Sequence, residues 1–236
     1  MLNRKKITTL VAGLLLVGLM SIASIAAVPE GEWAFLDTAD DLSRYWRLGG
    51  VHHETLFIAD SKTVHGDKTS PEGQYRLYGE AGTDFAMANA FFSVKPGDWT
   101  LEFRAKMASL GTFFPDVDLD NTTHSAYRGF TVGVRFDGTR TFVIGFNRGI
   151  IGVTTSAEVY QRVDESILGG GEDDFHVWRL EYDYSAQTMT IYKDDAEVAR
   201  FTRVVGVASQ ADGGLRMFSA PINVYGTVDV YLDYIA

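Results

Sequence analysis

The stretch from Phe175 to Phe201 constrains the fold more than any other part of the sequence. Its first half alternates between apolar and charged residues: Trp178, Leu180, Tyr182 and Tyr184 alternate with Arg179, Glu181 and Asp183. A period of two places the apolar set on one face of a β-strand. Met189 and Ile191 continue the pattern after a short polar joint, and a second joint leads to Phe201. The stretch therefore predicts a three-stranded antiparallel meander.

The same period recurs elsewhere in the chain, between turn signals. Residues 99–107 alternate apolar Trp, Leu, Phe, Ala and Met with Thr, Glu, Arg and Lys. An Asp-Gly pair at 137–138 joins the β-rich runs 130–136 and 141–146, which indicates a hairpin. We predict about a dozen short strands, a loop from Ser109 to Arg128 and no long amphipathic helix in the mature domain. This pattern is typical of one all-β domain, a two-sheet antiparallel β-sandwich.

The first 26 residues are expected to direct export. Basic residues at 4–6 precede a nearly unbroken apolar run at 10–20, and Ser24-Ile25-Ala26 offers small residues at the two positions that a signal peptidase reads. The apolar run is short for a helix that spans a bilayer, although an uncleaved membrane anchor is the alternative. We therefore expect a signal peptide over 1–26 and a single mature domain over 27–236. The implied location is secreted or periplasmic, with no membrane insertion after cleavage.

Composition excludes several classes of function. Cysteine is absent, so the chain has no disulfide, no thiolate metal site, no cysteine nucleophile and no lipid-modified cysteine. The 236-residue chain carries a formal net charge of -10. A chain this acidic lacks the basic patch that would neutralise nucleic-acid phosphates or anionic lipids. We therefore expect no nucleic-acid partner.

The meander and two other strands resemble the concanavalin A-like lectin/glucanase superfamily and laminin-G-like domains. Residues 176–183 and 188–195 resemble their hairpin, in which a His-x-Trp/Tyr-Arg strand precedes a Val-x-Val-Tyr-x-Asp-Gly strand. Residues 99–106 resemble a core strand of these domains, and 228–235 resemble their closing strand. The resemblance implies a concanavalin A-like jelly roll. Ala196 stands where the family has glycine, which predicts a looser turn. The superfold hosts lectins, hydrolases, lyases and adhesion modules, so it implies no single activity.

Signatures of catalysis are weak. The glucanases of this superfamily carry Glu-x-Asp-x-x-Glu on one strand, and the alginate-lyase branch carries Arg-x-Glu-Leu-Arg, Gln-Ile-His and Tyr-Phe-Lys-x-Gly. None of these motifs is present. Glu181 and Asp183 lie two residues apart on an outward face, and we interpret them as solvated charges and not as a catalytic pair. If the chain is an enzyme, it needs a base and groups that neutralise a uronate. The candidates for these roles are His124, Arg135, Tyr160 and Gln161.

Two acidic groupings are candidate Ca²⁺ sites. The first places three carboxylates at every second residue of the predicted loop: Asp116, Asp118 and Asp120. This spacing can converge oxygens on a hard cation, but the glycine and glutamate of an EF-hand are missing, and a solvated acidic loop is the alternative. The resemblance implies a second, structural site, in which Asp37 or Asp41 would act with Asp233. No other cofactor is expected.

Glycan recognition uses exposed aromatic rings and planar polar side chains. Five such residues lie in or near predicted loops and are candidate ligand contacts: Trp46, Tyr127, Arg128, Arg148 and Tyr160. We expect a secreted module that binds a glycan or a cell-surface ligand without catalysis. One alternative is a polysaccharide lyase or glycoside hydrolase of the same superfold. Another is a structural surface protein assembled by edge-strand pairing.

Overall fold

Fifteen β-strands make up the regular structure of the described chain. The computed structural model describes residues 46–51, 57–58, 75–80, 85–91, 96–113, 129–136, 140–153, 159–172, 174–208, 213–220 and 224–236. The strands are β1 (Trp46–Val51), β2 (Phe57–Ile58), β3 (Tyr75–Glu80), β4 (Phe85–Phe91), β5 (Trp99–Phe113), β6 (Gly129–Arg135), β7 (Arg140–Asn147), β8 (Ile150–Val153), β9 (Val159–Arg162), β10 (His176–Asp183), β11 (Thr188–Lys193), β12 (Ala196–Phe201), β13 (Val207–Ala208), β14 (Gly214–Ala220) and β15 (Val224–Ile235). Within these ranges no helix is long and apolar enough to cross a membrane.

The strands form two antiparallel sheets. The seven-stranded sheet has the order β12-β11-β10-β5-β15-β3-β2. The eight-stranded sheet has the order β1-β4-β14-β6-β7-β8-β9, with β13 paired to β7. Neighbouring strands come from distant parts of the chain, so that β5 lies between β10 and β15. The prediction of an all-β, two-sheet sandwich is therefore confirmed.

Aromatic side chains from both sheets meet in the core. The ring of Phe103 on β5 lies edge-on to Phe130 and Phe146 of the other sheet, with ring centroids 5.8 and 5.9 Å apart. Trp178 on β10 lies edge-on to Phe146 at 5.2 Å. The apolar residues of the alternating pattern face this core, with the exception of Tyr184, which follows the end of β10 and is exposed. Their burial is the main force that holds the sheets together.

The predicted meander forms with the expected strands, but its second turn is tighter than expected. Asp194 and Asp195 alone connect β11 to β12, and both adopt positive φ, 48° and 64°. Aspartate tolerates this region better than most residues. The Asp194 carboxylate also accepts a hydrogen bond from the backbone N–H of Val177 at 3.0 Å and contacts Nδ1 of His176 at 2.6 Å. The prediction of a looser turn before Ala196 was therefore wrong.

Two other predicted loops begin as strands. β5 continues from Ser109 to Phe113, because these residues pair with the first half of β15. Ser109 Oγ also donates a hydrogen bond to the carbonyl oxygen of Thr227 at 2.6 Å. The predicted loop thus loses its first five residues, and 114–128 lie outside the described residues. Trp46 likewise begins β1, paired with Ala90 of β4, and does not lie in a loop.

Residues 163–172 connect the eight-stranded sheet to the seven-stranded one. The backbone N–H of Gly149 donates to the carbonyl oxygen of Leu168 at 2.6 Å, and the N–H of Gly171 donates to that of Ala108 at 2.7 Å. The side chain of Leu168 is fully buried in the core. This crossing segment is therefore fastened to both sheets.

Candidate functional site

Polar and aromatic residues form one row on the outer face of the seven-stranded sheet. β3, β15 and β5 are neighbours there, and the apolar residues of these strands, such as Leu77 and Val230, are buried in the core. The register pairs Arg76 with Tyr231, and Tyr231 with Lys106. Because faces alternate along a strand, these three side chains point away from the core. They lie side by side across three strands.

Three further residues extend this row into an aromatic–cation stripe, which consists of Tyr78, Arg76, Tyr231, Lys106, Phe175 and Arg104. Arg76 Cζ lies 4.6 Å from the ring centroid of Tyr78 and 5.6 Å from that of Tyr231. Lys106 Nζ lies 4.6 Å from the centroid of Tyr231 and 5.5 Å from that of Phe175. Arg104 Cζ lies 4.7 Å from the centroid of Phe175. Each cation is thus attracted to an aromatic face, which limits its freedom to move.

Two carboxylates of β15 hold the arginines of the stripe. Asp229 accepts hydrogen bonds from Nε and Nη2 of Arg76 at 2.7 and 2.9 Å, a bidentate contact. Asp233 accepts one from Nη1 of Arg104 at 2.6 Å. The hydrogen bonds to Asp229 raise the pKa of Arg76 above its usual value, against the opposing effect of burial. Both guanidinium groups are therefore fixed in orientation.

A buried phenol lies beside Arg104. Tyr234 pairs with Arg104 in the ladder between β15 and β5, and its hydroxyl donates a hydrogen bond to Oε1 of Glu102 at 2.8 Å. Burial, and then this hydrogen bond, raise the pKa of Tyr234 well above its usual range. The phenol is therefore held as a neutral hydrogen-bond donor to Glu102.

Further along the same face, Glu181 and Asp183 have local structural partners. Arg179 donates from Nε to Glu181 at 3.0 Å and from Nη1 to Asp195 at 2.6 Å. Asp183 accepts hydrogen bonds from the N–H of Ala186 and the hydroxyl of the adjacent serine, both at 2.8 Å. These bonds, the backbone one first, lower the pKa of Asp183. This carboxylate therefore supports the turn that follows β10.

The outer face of the eight-stranded sheet differs in chemistry. The outward positions of β6, β7 and β8 are Thr131, Gly133, Arg135, Thr141, Val143, Gly145, Asn147, Ile150 and Gly152. No carboxylate stands at any of these positions, and Thr131, Arg135 and Asn147 are buried. Glycoside hydrolysis needs two carboxyl groups that flank the scissile bond. These three strands do not provide them.

The predicted lyase-like set is not gathered in one place. Tyr160 lies across from Gly152 at the β9 edge, and the ladders lead from there to Thr131 on β6, four residues from Arg135. Three strand spacings and four residues separate Tyr160 and Arg135 by roughly 20 Å. Gln161 points to the opposite face, where its Oε1 accepts a hydrogen bond from the N–H of Arg200 at 3.2 Å. His124, the fourth member, lies outside the described residues.

Two other predicted residues have partners of their own. Arg148 lies in the turn between β7 and β8, where its Nη2 and Nε contact Oε2 of Glu165 at 2.8 and 3.0 Å. Asp233 is buried in its ion pair with Arg104. A Ca²⁺ ion at Asp233 would therefore have to displace or share this contact. Among the described residues, no three histidine or acidic side chains come close enough together to hold a metal ion.

The remaining predicted site residues cannot be placed by their side chains. The backbone of Trp46 is described as part of β1, but its side chain is not. The others lie outside the described residues: Tyr127, Arg128, Asp37, Asp41, Asp116, Asp118 and Asp120. Their roles stay predictions.

Sequence reasoning did not find the stripe. Cationic or aromatic residues stand at the outward positions of β3, β5 and β15. This pattern is visible in the sequence of each strand taken by itself. The missing information was the strand order, which brings together residues 75–80, 99–113 and 224–235. A search for aromatic residues in loops passed over these strands.

Known proteins match this chain in structure and not in sequence. No protein-family model and no curated protein sequence matches it. The Clostridium perfringens endo-β-galactosidase that releases GlcNAcα1-4Gal has a similar structure, with a TM-score of 0.50, 12% identity, and coverage of 89% of this chain and 64% of that one. The Bacillus licheniformis β-glucanase (TM-score 0.48, 11% identity, 85% and 95%) and a legume lectin-like domain from Entamoeba histolytica (0.48, 10%, 83% and 90%) are also similar.

At these identities the similarity shows the fold alone, and it agrees with the topology. Two antiparallel sheets of seven and eight strands pack face to face, with the closing strand β15 next to the central strand β5 of the seven-stranded sheet. The resemblance noted in the meander and in the strands at 99–106 and 228–235 pointed to the same architecture. The chain has the concanavalin A-like jelly-roll fold.

Proposed function

We propose that this chain is an exported glycan-binding module, which holds its ligand on the outer face of the seven-stranded sheet and does no covalent chemistry. The observation that supports this proposal is the aromatic–cation stripe. Together with Asp229 and Asp233, it places planar guanidinium groups, carboxylates and the half-buried rings of Tyr78 and Phe175 on one face of the sheet, whereas the ring of Tyr231 is mostly buried. Sugars offer C–H faces that pack on flat groups and hydroxyls that both donate and accept hydrogen bonds. The aromatic rings can pack against the C–H faces, the guanidinium groups can donate hydrogen bonds to the hydroxyls, and the carboxylates can accept hydrogen bonds from them.

Rigidity favours binding at this position. All side chains of the stripe except Phe175 lie on β3, β5 and β15, and each cation is held by an aromatic face, by a carboxylate or by both. A preorganised surface loses little side-chain entropy when a ligand arrives. Binding energy is therefore available for affinity and is not used to order the site.

The chemistry of the same face favours binding over hydrolysis. A glycosidase needs one carboxylic acid that donates a proton and one carboxylate that acts as nucleophile or base. Asp229 and Asp233 accept hydrogen bonds from guanidinium groups, and Glu102 accepts one from a phenol. The arginine pairs give Asp229 and Asp233 structural roles.

A polysaccharide-active enzyme is the second candidate. The Clostridium protein of the same fold is an endo-β-galactosidase by name, and glycoside hydrolases are frequent among the similar structures. A catalytic set would have to include residues outside the described part of the chain, above all His124 and its neighbours in 114–128. The two candidates make opposite predictions about products.

A panel of soluble polysaccharides tests both candidates with one protein sample. Affinity electrophoresis should show retardation by at least one glycan, while reducing ends and ultraviolet-absorbing unsaturated products stay at background. Phe175→Ala should weaken this retardation by about tenfold, since one aromatic contact contributes on the order of 1 kcal/mol. Tyr184→Ala is the matched control, because Tyr184 is 53% exposed but lies off the stripe. Product release would replace the binding proposal with the enzyme, and an absence of both retardation and products would refute both.

Export and calcium remain parts of the proposal. We propose that residues 1–26 are removed on export, so that the domain works in the periplasm or outside the cell, with no nucleic-acid partner.

Calcium would be structural, at Asp233 or in the acidic run at 116–120. A ligand that binds only the folded state raises its stability. We therefore expect a higher melting temperature in Ca²⁺ than in chelator, and Asp118→Asn or Arg104→Lys should reveal which site is responsible. An unchanged melting temperature would remove both calcium sites.

A further inference from the structure

We infer that the aromatic–cation stripe selects an acidic glycan, one whose sugars carry carboxylate or sulfate groups. This inference rests on the proposed function and adds the chemical class of the ligand. Its starting point is the position of three cations, Arg76, Lys106 and Arg104, on two strands that flank β15. Two strand spacings separate Arg76 from Lys106 by about 10 Å, and Arg104 lies two residues further along β5, about 12 Å from Arg76. In a chain with a net charge of -10, such a grouping is a local exception.

The carboxylates that pair with these cations are the deeper partners. The side chain of Asp233 is 6% exposed, whereas that of Arg104 is 21% exposed. Asp229 is 17% exposed and Arg76 is 21% exposed. At the Arg104–Asp233 pair, a ligand that approaches the sheet therefore meets the guanidinium group before the carboxylate, and at the Arg76–Asp229 pair the two groups are about equally exposed. The charge that it senses at contact is positive, because the Coulomb interaction weakens with distance.

The described residues leave several hydrogen-bond donors of the two arginines unused. A guanidinium group has five N–H donors in a planar fork. Within the described residues, Arg104 donates only from Nη1, to Asp233, and Arg76 only from Nε and Nη2, to Asp229. The donors that remain match the geometry of a carboxylate or sulfate, which accepts two parallel N–H bonds. Neutral hydroxyls would accept hydrogen bonds from the same donors, but these bonds would be weaker than those to a charged group.

The aromatic members of the stripe favour a sugar polymer over an acidic peptide. Phe175 lies between Arg104 and Lys106, at 4.7 and 5.5 Å from its ring centroid, and Tyr78 lies beyond Arg76. Aromatic and cationic groups thus alternate across the sheet. An acidic polysaccharide repeats in the same way, since each ring presents an apolar face beside a charged group. A polypeptide with acidic side chains has no ring to place between the charges.

Polygalacturonate and its fully methyl-esterified form provide a matched pair of probes, because esterification removes the charge and leaves the chain. Isothermal titration calorimetry with the whole protein should give at least tenfold tighter binding to the acidic form, and the difference should shrink at high salt. Dextran sulfate and neutral dextran repeat the comparison for sulfate. These two arms distinguish a carboxylate ligand from a sulfate ligand. Polyglutamate should bind more weakly than either acidic polysaccharide.

Variants locate the charge selection on the stripe. Lys106→Met keeps the apolar stem and removes the charge, so affinity for the preferred acidic polymer should fall by about tenfold, and Lys106→Arg should restore it. Arg200→Gln is the matched control, because Arg200 is an exposed cation on β12, at the edge of the same sheet. Its affinity should equal that of the unchanged protein. Melting curves of all three variants confirm that they fold.

Each outcome decides the inference. Equal affinity for the charged and uncharged forms of both polymers would overturn acidic selectivity and leave glycan binding intact. Equal losses of affinity in Lys106→Met and Arg200→Gln would show that binding depends on a general attraction between charges. Tighter binding of polyglutamate than of either acidic polysaccharide would show that the ligand is a protein. Either result overturns the inference. If no polysaccharide binds, charged or neutral, the proposed function fails as well.

Discussion

Trp178→Ala is expected to lower the free energy of unfolding by about 4 kcal/mol, the usual cost of deleting a large aromatic side chain from a core. Trp178 is fully buried, and its ring lies 5.2 Å from that of Phe146 on the opposite sheet. Its strand β10 is flanked by β5 and β11, so the cavity would open in the middle of the sheet. For a domain of this size, the loss corresponds to a fall in melting temperature of roughly 8–16 °C.

Trp178→Phe is the control for this prediction. Phenylalanine keeps most of the buried apolar surface, and it removes the indole Nε1, which is buried and has no hydrogen-bond partner among the described residues. A buried unpaired donor is itself unfavourable, so its removal offsets part of the lost packing. The phenylalanine variant should lose less than half of what the alanine variant loses in urea unfolding. Equal losses would show that the tryptophan is not packed as described.

Lys193→Met should be about as destabilising, by about 4 kcal/mol, because it leaves a buried carboxylate without its counter-ion. The side chains of Lys193 and Glu172 are 11% and 13% exposed, and they form an ion pair. Lys193 Nζ also donates to the carbonyl oxygen of Ile167 at 2.7 Å and lies 5.4 Å from the ring centroid of Trp178. This cluster fastens the crossing segment 163–172 to the seven-stranded sheet.

A double-mutant cycle separates the ion pair from simple packing. Replacing both partners, Lys193→Met with Glu172→Leu, removes both charges and should recover most of the stability lost in Lys193→Met. Arg200→Met breaks the exposed Arg200–Glu197 pair and serves as a surface control, with a much smaller change expected. Additive losses in the double variant would contradict a coupled, buried pair. The free energies come from chemical denaturation, at one pH, of the unchanged protein, Lys193→Met, Glu172→Leu, the double variant and Arg200→Met.

The contrast between the meander and the stripe shows what the sequence could predict. Leu180 pairs with Ile191 as the alternation and the short joint imply, because both strands are close in sequence and each has one apolar face. The period of two determines which residues face the core. It does not determine which distant strand lies next to which, since every strand with an apolar face can satisfy the same pattern. The row of Arg76, Tyr231 and Lys106 depends on that second kind of information.

The full length of β5 could not be predicted from the sequence for a related reason. Residues 109–113 lack a regular alternation, and the ladder with β15 shifts register at three places, one of them between Tyr225 and Val228. Such irregularities break the period of two on which a sequence-based strand prediction depends. The tight turn was missed because glycine was expected at the position of Ala196, whereas Asp194 and Asp195 adopt the positive φ themselves, and the carboxylate of Asp194 is hydrogen-bonded.

The most direct test of the central claim is a nuclear magnetic resonance titration that maps where a glycan binds. Isotope-labelled protein would be titrated with a short oligogalacturonate while the backbone amide signals are followed. The account predicts that the largest shift changes cluster on β3, β5 and β15, around Arg76, Lys106 and Tyr231, and that Lys106→Met weakens them together. Shift changes that cluster instead around Gly152, Tyr160 and Arg162 would place the ligand on the eight-stranded sheet and contradict the account.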